Sequence, residues 1–171
     1  MYIRKETSAD ADAIRLLTQK AFEPVPYSTG SESAIIDQLR REDDLVLSLV
    51  MDDDGIIVGH VAFSPIRIDG KFDKWYCLGP ISVAPIKQKQ GIGKALVGEG
   101  LREIRALGSN GCILVGNPAY YQRFGFSSNG RLRYGTVDPA VIQYKTFQGT
   151  APTGTLTHAN AFEQVLKELH P

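Results

Sequence analysis

The chain has 171 residues, 43% of them hydrophobic and 22% charged, and its nineteen basic and nineteen acidic side chains cancel. That length suits one domain around one core, and without an excess of Lys and Arg no nucleic-acid partner is expected. The apolar runs are far too short for a bilayer span, the N-terminus has no signal-peptide stretch, and Cys77 and Cys112 sit inside apolar segments, so the reading is a cytoplasmic protein without membrane contact whose two thiols are reduced core residues.

Tyr2 to Arg4 reads as a short strand. Thr7-Ser8-Ala9-Asp10 then resembles a helix cap with an acid three residues on, and Ile14, Leu17 and Ala21 follow at helical spacing. The first helix is expected to end near Phe22, before the breaker-rich stretch Pro24 to Gly30. A second helix starts near Ser31 and carries Ile35, Ile36 and Leu39. Leu45 to Met51, Ile56 to Ile68 and Trp75 to Val83 read as three strands, joined at Asp52-Asp53-Asp54-Gly55 and at Asp69-Gly70. Such short turns connect antiparallel neighbours. A helix from Ile92 to about Leu107, with Ile92, Leu96, Ile104 and Leu107 on one face, leads through Gly108-Ser109-Asn110-Gly111 into a buried strand, Cys112 to Val115. A strand–helix–strand unit of this size implies parallel pairing. Asn117 to Phe124 reads as a short helix stopped by Gly125. Late strands are expected at Ile142 to Phe147 and Thr155 to Thr157, with a short helix from Ala161. All 171 residues read as one domain, a core over 1–147 followed by C-terminal strands and a tail over 148–171.

The chemistry lies between the third strand and the long helix. Gln88-Lys89-Gln90-Gly91-Ile92-Gly93-Lys94 is a polar, glycine-containing turn into a helix. A helix start presents free N–H groups and the positive end of the helix dipole. Gly91 and Gly93 lack a Cβ, so an anion can approach the main chain, and Lys89 and Lys94 add charge. A ligand carrying a pyrophosphate is the physical expectation. A plain glycine-rich turn is the alternative for a lone Gly-x-Gly. The Walker pattern is absent, and a dinucleotide fingerprint would need glycine at Leu96. The three histidines, His60, His158 and His170, show no ligand spacing, so no metal is expected.

Val83-Ala84-Pro85 followed by Gln88-Lys89-Gln90-Gly91-Ile92-Gly93 resembles the coenzyme A signature of the GNAT acetyltransferases. At the right distance, Asn117-Pro118-Ala119-Tyr120-Tyr121-Gln122-Arg123-Phe124-Gly125-Phe126 is similar to that family's short helix with Tyr four residues before Gly-Phe. The resemblance covers roughly residues 1–147. It implies the GNAT fold: α/β of mixed character, a mostly antiparallel twisted sheet with a splayed central parallel pair and helices on both faces. It also implies acetyl transfer from acetyl-CoA, as co-substrate, to a primary amine of a small molecule or a protein. Ile81 and Val83 would give backbone contacts to the pantetheine arm, and the N–H groups of Gln88, Lys89, Gln90, Gly91, Ile92, Gly93 and Lys94 would hold the pyrophosphate. Asn117 would hydrogen-bond the pantetheine. Tyr121 stands at the position of the usual general acid, with Tyr120 as the alternative, and packing of Tyr121 against Phe124 and Phe126 is the plainer reading of that residue.

The family's acceptor pocket implicates Phe22, Tyr27, Ser28 and Tyr144. No general base is identified: the strand Trp75 to Val83 carries neither a carboxylate nor a histidine, and His60 on the neighbouring strand reads better as structural. A homodimer is open. A non-catalytic acyl-CoA-binding module of the same fold is the rival reading.

Overall fold

The computed structural model describes residues 1–169. Strand β1 (Tyr2–Lys5) runs into a turn where Thr7 N–H donates to the Asp10 carboxylate at 2.7 Å, which starts a 3₁₀ turn and then α1 (Ala11–Phe22). Asp10 also accepts two bonds from the Arg4 guanidinium, at 2.8 and 3.0 Å, and Asp52 accepts a third at 3.0 Å. The helix start is thereby fastened to two strands. Ile14, Leu17 and Ala21 face inward, as do Ile35, Ile36 and Leu39 of α2 (Glu32–Arg41); the apolar stripe at helical spacing is what drives both helices onto the sheet.

Strands β2 (Leu47–Asp53), β3 (Ile56–Ile68) and β4 (Lys71–Val83) form an antiparallel meander. Both connections are two-residue turns in the left-handed region, Asp54-Gly55 (φ 52° and 87°) and Asp69-Gly70 (φ 50° and 76°), the geometry that matches strand twist. The third strand begins at Lys71 rather than Trp75, because the Asp69-Gly70 turn pairs Lys71 directly with Ile68. The next elements are α3 (Ile92–Ala106), β5 (Gly111–Val115), α4 (Pro118–Tyr121), β6 (Leu132–Arg133), β7 (Ile142–Thr146), β8 (Gly154–His158) and α5 (Asn160–Leu169).

The sheet order is β1-β2-β3-β4-β5-β7, with β8 paired to the far end of β3 and to β6. The β4–β5 pair is parallel, as the strand–helix–strand reading required, and the short β6–β8 pair is parallel too. One face is covered by α3, whose Ile92, Leu96, Val97, Leu101 and Ile104 pack on Leu49, Val61, Phe63 and Leu78. Gly100 lets α3 come this close, since a Cβ there would run into the Phe63 ring. The opposite face is covered by α1 and α2 at one end, and by α5 with residues 132–137 at the other.

Leu107 departs from the expected buried face. It caps α3 and is 60% exposed, because Gly108 (φ 83°) ends the helix and turns the chain away. The short helix after Asn117 is α-helical only to Tyr121 and tightens to 3₁₀ over Gln122–Phe124 before Gly125.

Candidate functional site

Strand β4 is zipped on both edges at its start and open on one edge at its end. Trp75, Tyr76 and Cys77 pair with Gly111, Cys112 and Ile113 of β5, and there the parallel ladder stops. Beyond it β4 runs on to Val83 with β3 alone beside it. The departure coincides with a bulge: Phe63 pairs with Leu78 and Val61 with Ile81, so β4 holds one more residue than β3 at Gly79-Pro80. A bulge bends its strand, and Pro80 has no N–H to offer a ladder. Sequence reasoning passed over this dipeptide, although Gly-Pro inside an apolar strand is itself a sign of a bulge.

The phase of the ladder decides which groups face the gap. Ala84 N–H donates to Val58 O at 2.9 Å, so Ala84 and Ser82 direct their backbone groups to β3. By the same alternation, Ile81 and Val83 direct theirs the other way, into the space left by β5. Val83 O takes a bond there from Gln88 Nε2, at 3.1 Å.

The adjoining loop supplies a run of free donors. After a 3₁₀ turn over Pro85–Lys87, Lys89 (φ 63°) and Gly91 (φ 85°) take left-handed conformations, and Gly91 caps α3. The first helical bond is Ala95 N–H to Gly91 O, 3.0 Å. Among the described residues, the N–H groups from Lys89 through Lys94 meet no protein acceptor. Gln88 N–H, by contrast, donates weakly to Pro85 O at 3.5 Å. The converging N–H groups, the dipole of α3 and the side chains of Lys89 and Lys94 suit a multiply charged anion.

These parts line one cleft of about 600 Å³, formed by Phe22 and Val25 at the end of α1, Ile81 to Val83, Gln88, Lys89, Gly91 to Lys94, Tyr120 and Arg123. A second hollow of about 550 Å³ shares Phe22 and Val25 with it and extends under the loop after α1, past Glu23, Ser28 and Glu32. Ser28 thus lies beside the cleft as expected. Tyr27 is 86% exposed and lines neither hollow. Tyr144 pairs with Ile113 and packs under the residue 132–137 segment, on the face opposite α3.

The two tyrosines occupy different depths. Tyr120 is on the cleft wall, its hydroxyl 3.0 Å from where a Cβ on Gly93 would stand, with the Arg123 guanidinium 4.7 Å over its ring. Tyr121 is deeper, edge-on to Tyr120 (ring centroids 4.9 Å) and to Phe126 (6.1 Å). Its ring packs against Gly116, where a Cβ would come within 2.6 Å of it. Burial pushes the Tyr121 phenol up to about 12, so it holds its proton throughout the neutral range. Asn117 caps α4, its Oδ1 accepting from Ala119 N–H at 3.0 Å, and its side chain is otherwise exposed at the mouth of β5.

His60 is fully buried, its Nε2 2.8 Å from Ser48 Oγ, and burial lowers its pKa to about 3. It lines no part of the cleft and keeps a neutral ring, which fits the structural reading. Among the described residues no group of three His, Cys, Asp or Glu side chains could hold a metal, and no helix is long and apolar enough to cross a membrane.

An acetyltransferase (GNAT) domain model matches residues 45–128, from the start of the meander to just past the tyrosines. The uncharacterized N-acetyltransferase YhbS of Escherichia coli (strain K12) is 36% identical over 127 residues, 74% of this chain and 73% of that protein. Among solved structures, a GNAT family acetyltransferase from Brucella melitensis in complex with acetyl-CoA is 43% identical, covers 94% of this chain and 97% of its own, and superposes with a TM-score of 0.85. The structure of YhbS from Escherichia coli in complex with CoA superposes with a TM-score of 0.87 at 30% identity, covering 95% of this chain and 91% of its own.

Proposed function

We propose that this chain, which belongs to the GNAT acetyltransferase family and is an acetyl-CoA-dependent N-acetyltransferase, moves its acetyl group by direct attack of a primary amine with both substrates held at once. The observation that carries this reading is the open edge of β4, where the Ile81 backbone groups and the Val83 N–H have no strand partner and lie next to the free N–H run of the α3 start. An extended ligand with amides at one end and a pyrophosphate at the other matches that arrangement.

Acetyl-CoA supplies the acetyl group as an activated thioester. Ile81 and Val83 would pair with its pantetheine arm, the N–H groups of Lys89 to Lys94 would hold its pyrophosphate, and Asn117 has its Nδ2 left to donate to the arm. The Val83 N–H, aimed into the gap, is placed to stabilise negative charge developing on the carbonyl oxygen. Tyr121 keeps a proton that it can give to the departing sulfur. Water relays the proton from the attacking amine, since His60 is sealed off and the β4 edge carries no base. For the acceptor we favour a small amine over a protein amine: the hollow continuous with the cleft is about 550 Å³, and its carboxylates, Glu23 and Glu32, suit an ammonium group.

The test begins with thermal unfolding in acetyl-CoA, with ATP and NAD as controls, and continues with thiol release against a panel of amines. Incubation with acetyl-CoA alone should leave the intact mass of the protein unchanged; an acetyl adduct that a later amine removes would replace direct attack with an acyl-enzyme. Tyr121→Phe should lower kcat by roughly 10²–10⁴-fold, the usual range for general acid help, with acetyl-CoA affinity retained. An unchanged kcat would shift the acid to Tyr120.

A further inference from the structure

A second cavity lies at the other end of the molecule and has no part in the transferase site. It is bounded by the turn after α2, the ends of β3 and β8, the start of β4 and the first turns of α5, and has a volume of about 620 Å³. Its Phe72 and the Val83 of the cleft stand at opposite ends of β4, on the order of 30 Å apart at roughly 3.3 Å per residue.

The walls of this cavity are firm and its charges are unspent. The His158 ring stacks on Tyr134 with centroids 4.2 Å apart, and one Glu163 oxygen accepts from both the Tyr134 hydroxyl (3.0 Å) and the His158 N–H (2.9 Å). The other Glu163 oxygen stays available. Asp44 and Arg67 both line the space. Among the described residues the Asp44 carboxylate accepts no hydrogen bond from the protein, the Arg67 guanidinium donates none, and the two do not come within ion-pair distance, so both are left to water. Burial and the neighbouring Glu42 hold the Asp44 carboxyl above the usual carboxylate range, and Arg67 draws it partly back. The Phe72 ring, 47% exposed, lines the same space.

Two acids, Asp44 and Glu163, and two bases, Arg67 and Lys167, around a cavity of this size are satisfied together by a molecule that carries both charges. We propose that the cavity is a second ligand site that takes a small zwitterion such as a free amino acid, its ammonium on Asp44 and Glu163, its carboxylate on Arg67, and its side chain against Phe72. A bare anion would leave Asp44 unpaired, and a bare cation would leave Arg67 unpaired. The site is independent of the acetyl-transfer reading, because none of its residues lines the β4 cleft.

The experiment is thermal unfolding and calorimetry of the full chain with each of the free amino acids, and with acetate and methylamine as half-ligands. The expected result is saturable binding of one or more amino acids but of neither half-ligand. Arg67→Gln and Asp44→Asn should each weaken that binding at least tenfold while leaving the acetyl-CoA response intact. The proposal is overturned if no amino acid binds, if acetate binds as tightly as the amino acid, or if binding is undiminished in both variants. The last outcome would place the amino acid in the transferase cleft as an acceptor. Should Asp44→Asn fail to fold, Arg67→Gln, an exposed position, decides the question.

Discussion

The two halves of β4 share one strand and do opposite things. At Trp75–Cys77 the backbone is paired to β3 on one side and β5 on the other, and Trp75 and Cys77 are each 4% exposed. From Leu78 to Val83 the same strand keeps only β3, and its second edge is left to whatever enters the cleft. What separates them is one extra residue at Gly79-Pro80. The inner half is closed core. The outer half leaves the Ile81 backbone groups and the Val83 N–H without a strand partner on the cleft side, while Val83 O takes the Gln88 side chain. A binding edge of this kind is built by omission, and the closed half is what holds it in place.

The most severe test of that division is Trp75→Ala. Truncating a fully packed Trp costs about 3–5 kcal/mol, and at roughly 2–4 °C per kcal/mol for a chain of this size the melting temperature should drop by about 10 °C. Acetyl-CoA should still bind well below the transition, because no group of the outer half has been touched. A small loss of stability would show that the inner half is not the anchor. Gly116→Ala comes next and tests the outer half. Its Cβ would stand 2.6 Å from the Tyr121 ring, and a displacement of about 1 Å can cost on the order of 10²-fold in rate. We expect kcat to fall towards that value while the melting temperature and the acetyl-CoA affinity change little. A change in affinity with kcat unaltered would mean that Tyr121 belongs to the binding surface and not to the chemistry.

The same division governs what could be read before the structure was known. The long helices were legible because Ile14, Leu17 and Ala21 or Ile92, Leu96 and Ile104 repeat at helical spacing, and the meander because Asp-Gly turns punctuate it. The glycine turn into α3 was legible because its features are local, with consecutive N–H groups and two glycines over a few residues. The bulge was not read, since its effect appears only against β3 and β5, which lie far away in sequence. Nor did spacing separate the depths of Tyr120 and Tyr121. That depends on Gly93 and Gly116, which touch them from two different elements. Leu107 fitted the helical period yet lies outside, because a period does not say where a helix stops.

A third effect, on pH dependence, follows the buried histidines, one beside each half. His60 pairs across from Ser82 in the outer half, and His158 pairs across from Ile66, itself opposite Trp75 in the inner half. Burial lowers their pKa values to about 3 and about 4, against an ordinary 6.5. The unfolded chain therefore binds more protons between those values and 6.5, and stability is lost as the pH falls through that window, by up to about 1.4 kcal/mol per pH unit for each ring. The depressed carboxyls of Asp10, held by Arg4, and of Asp52, held by the Gly55 N–H and then by Arg4, add to the loss only below about pH 4. Urea unfolding from pH 8 to pH 4 measures this, and His60→Gln should remove one share of the slope. A stability that stays flat down to pH 5 would mean that the rings take up protons in the folded state, and that the face behind the outer half is not sealed.

The least effect is expected where charge is most visible. Lys89 and Lys94 flank the anion-binding turn, yet both side chains are exposed, and an exposed charge near a helix start is worth about 0.3–1 kcal/mol in ordinary salt. Replacing both with Gln should therefore weaken acetyl-CoA binding only a few-fold and reduce its salt dependence, with kcat unaltered. The backbone N–H groups from Lys89 to Lys94 remain in the double variant, and they are the donors that the outer half and its loop leave free. A loss of two orders of magnitude would overturn this assignment: the side-chain charges would then hold the pyrophosphate, and the open backbone would serve the pantetheine arm alone.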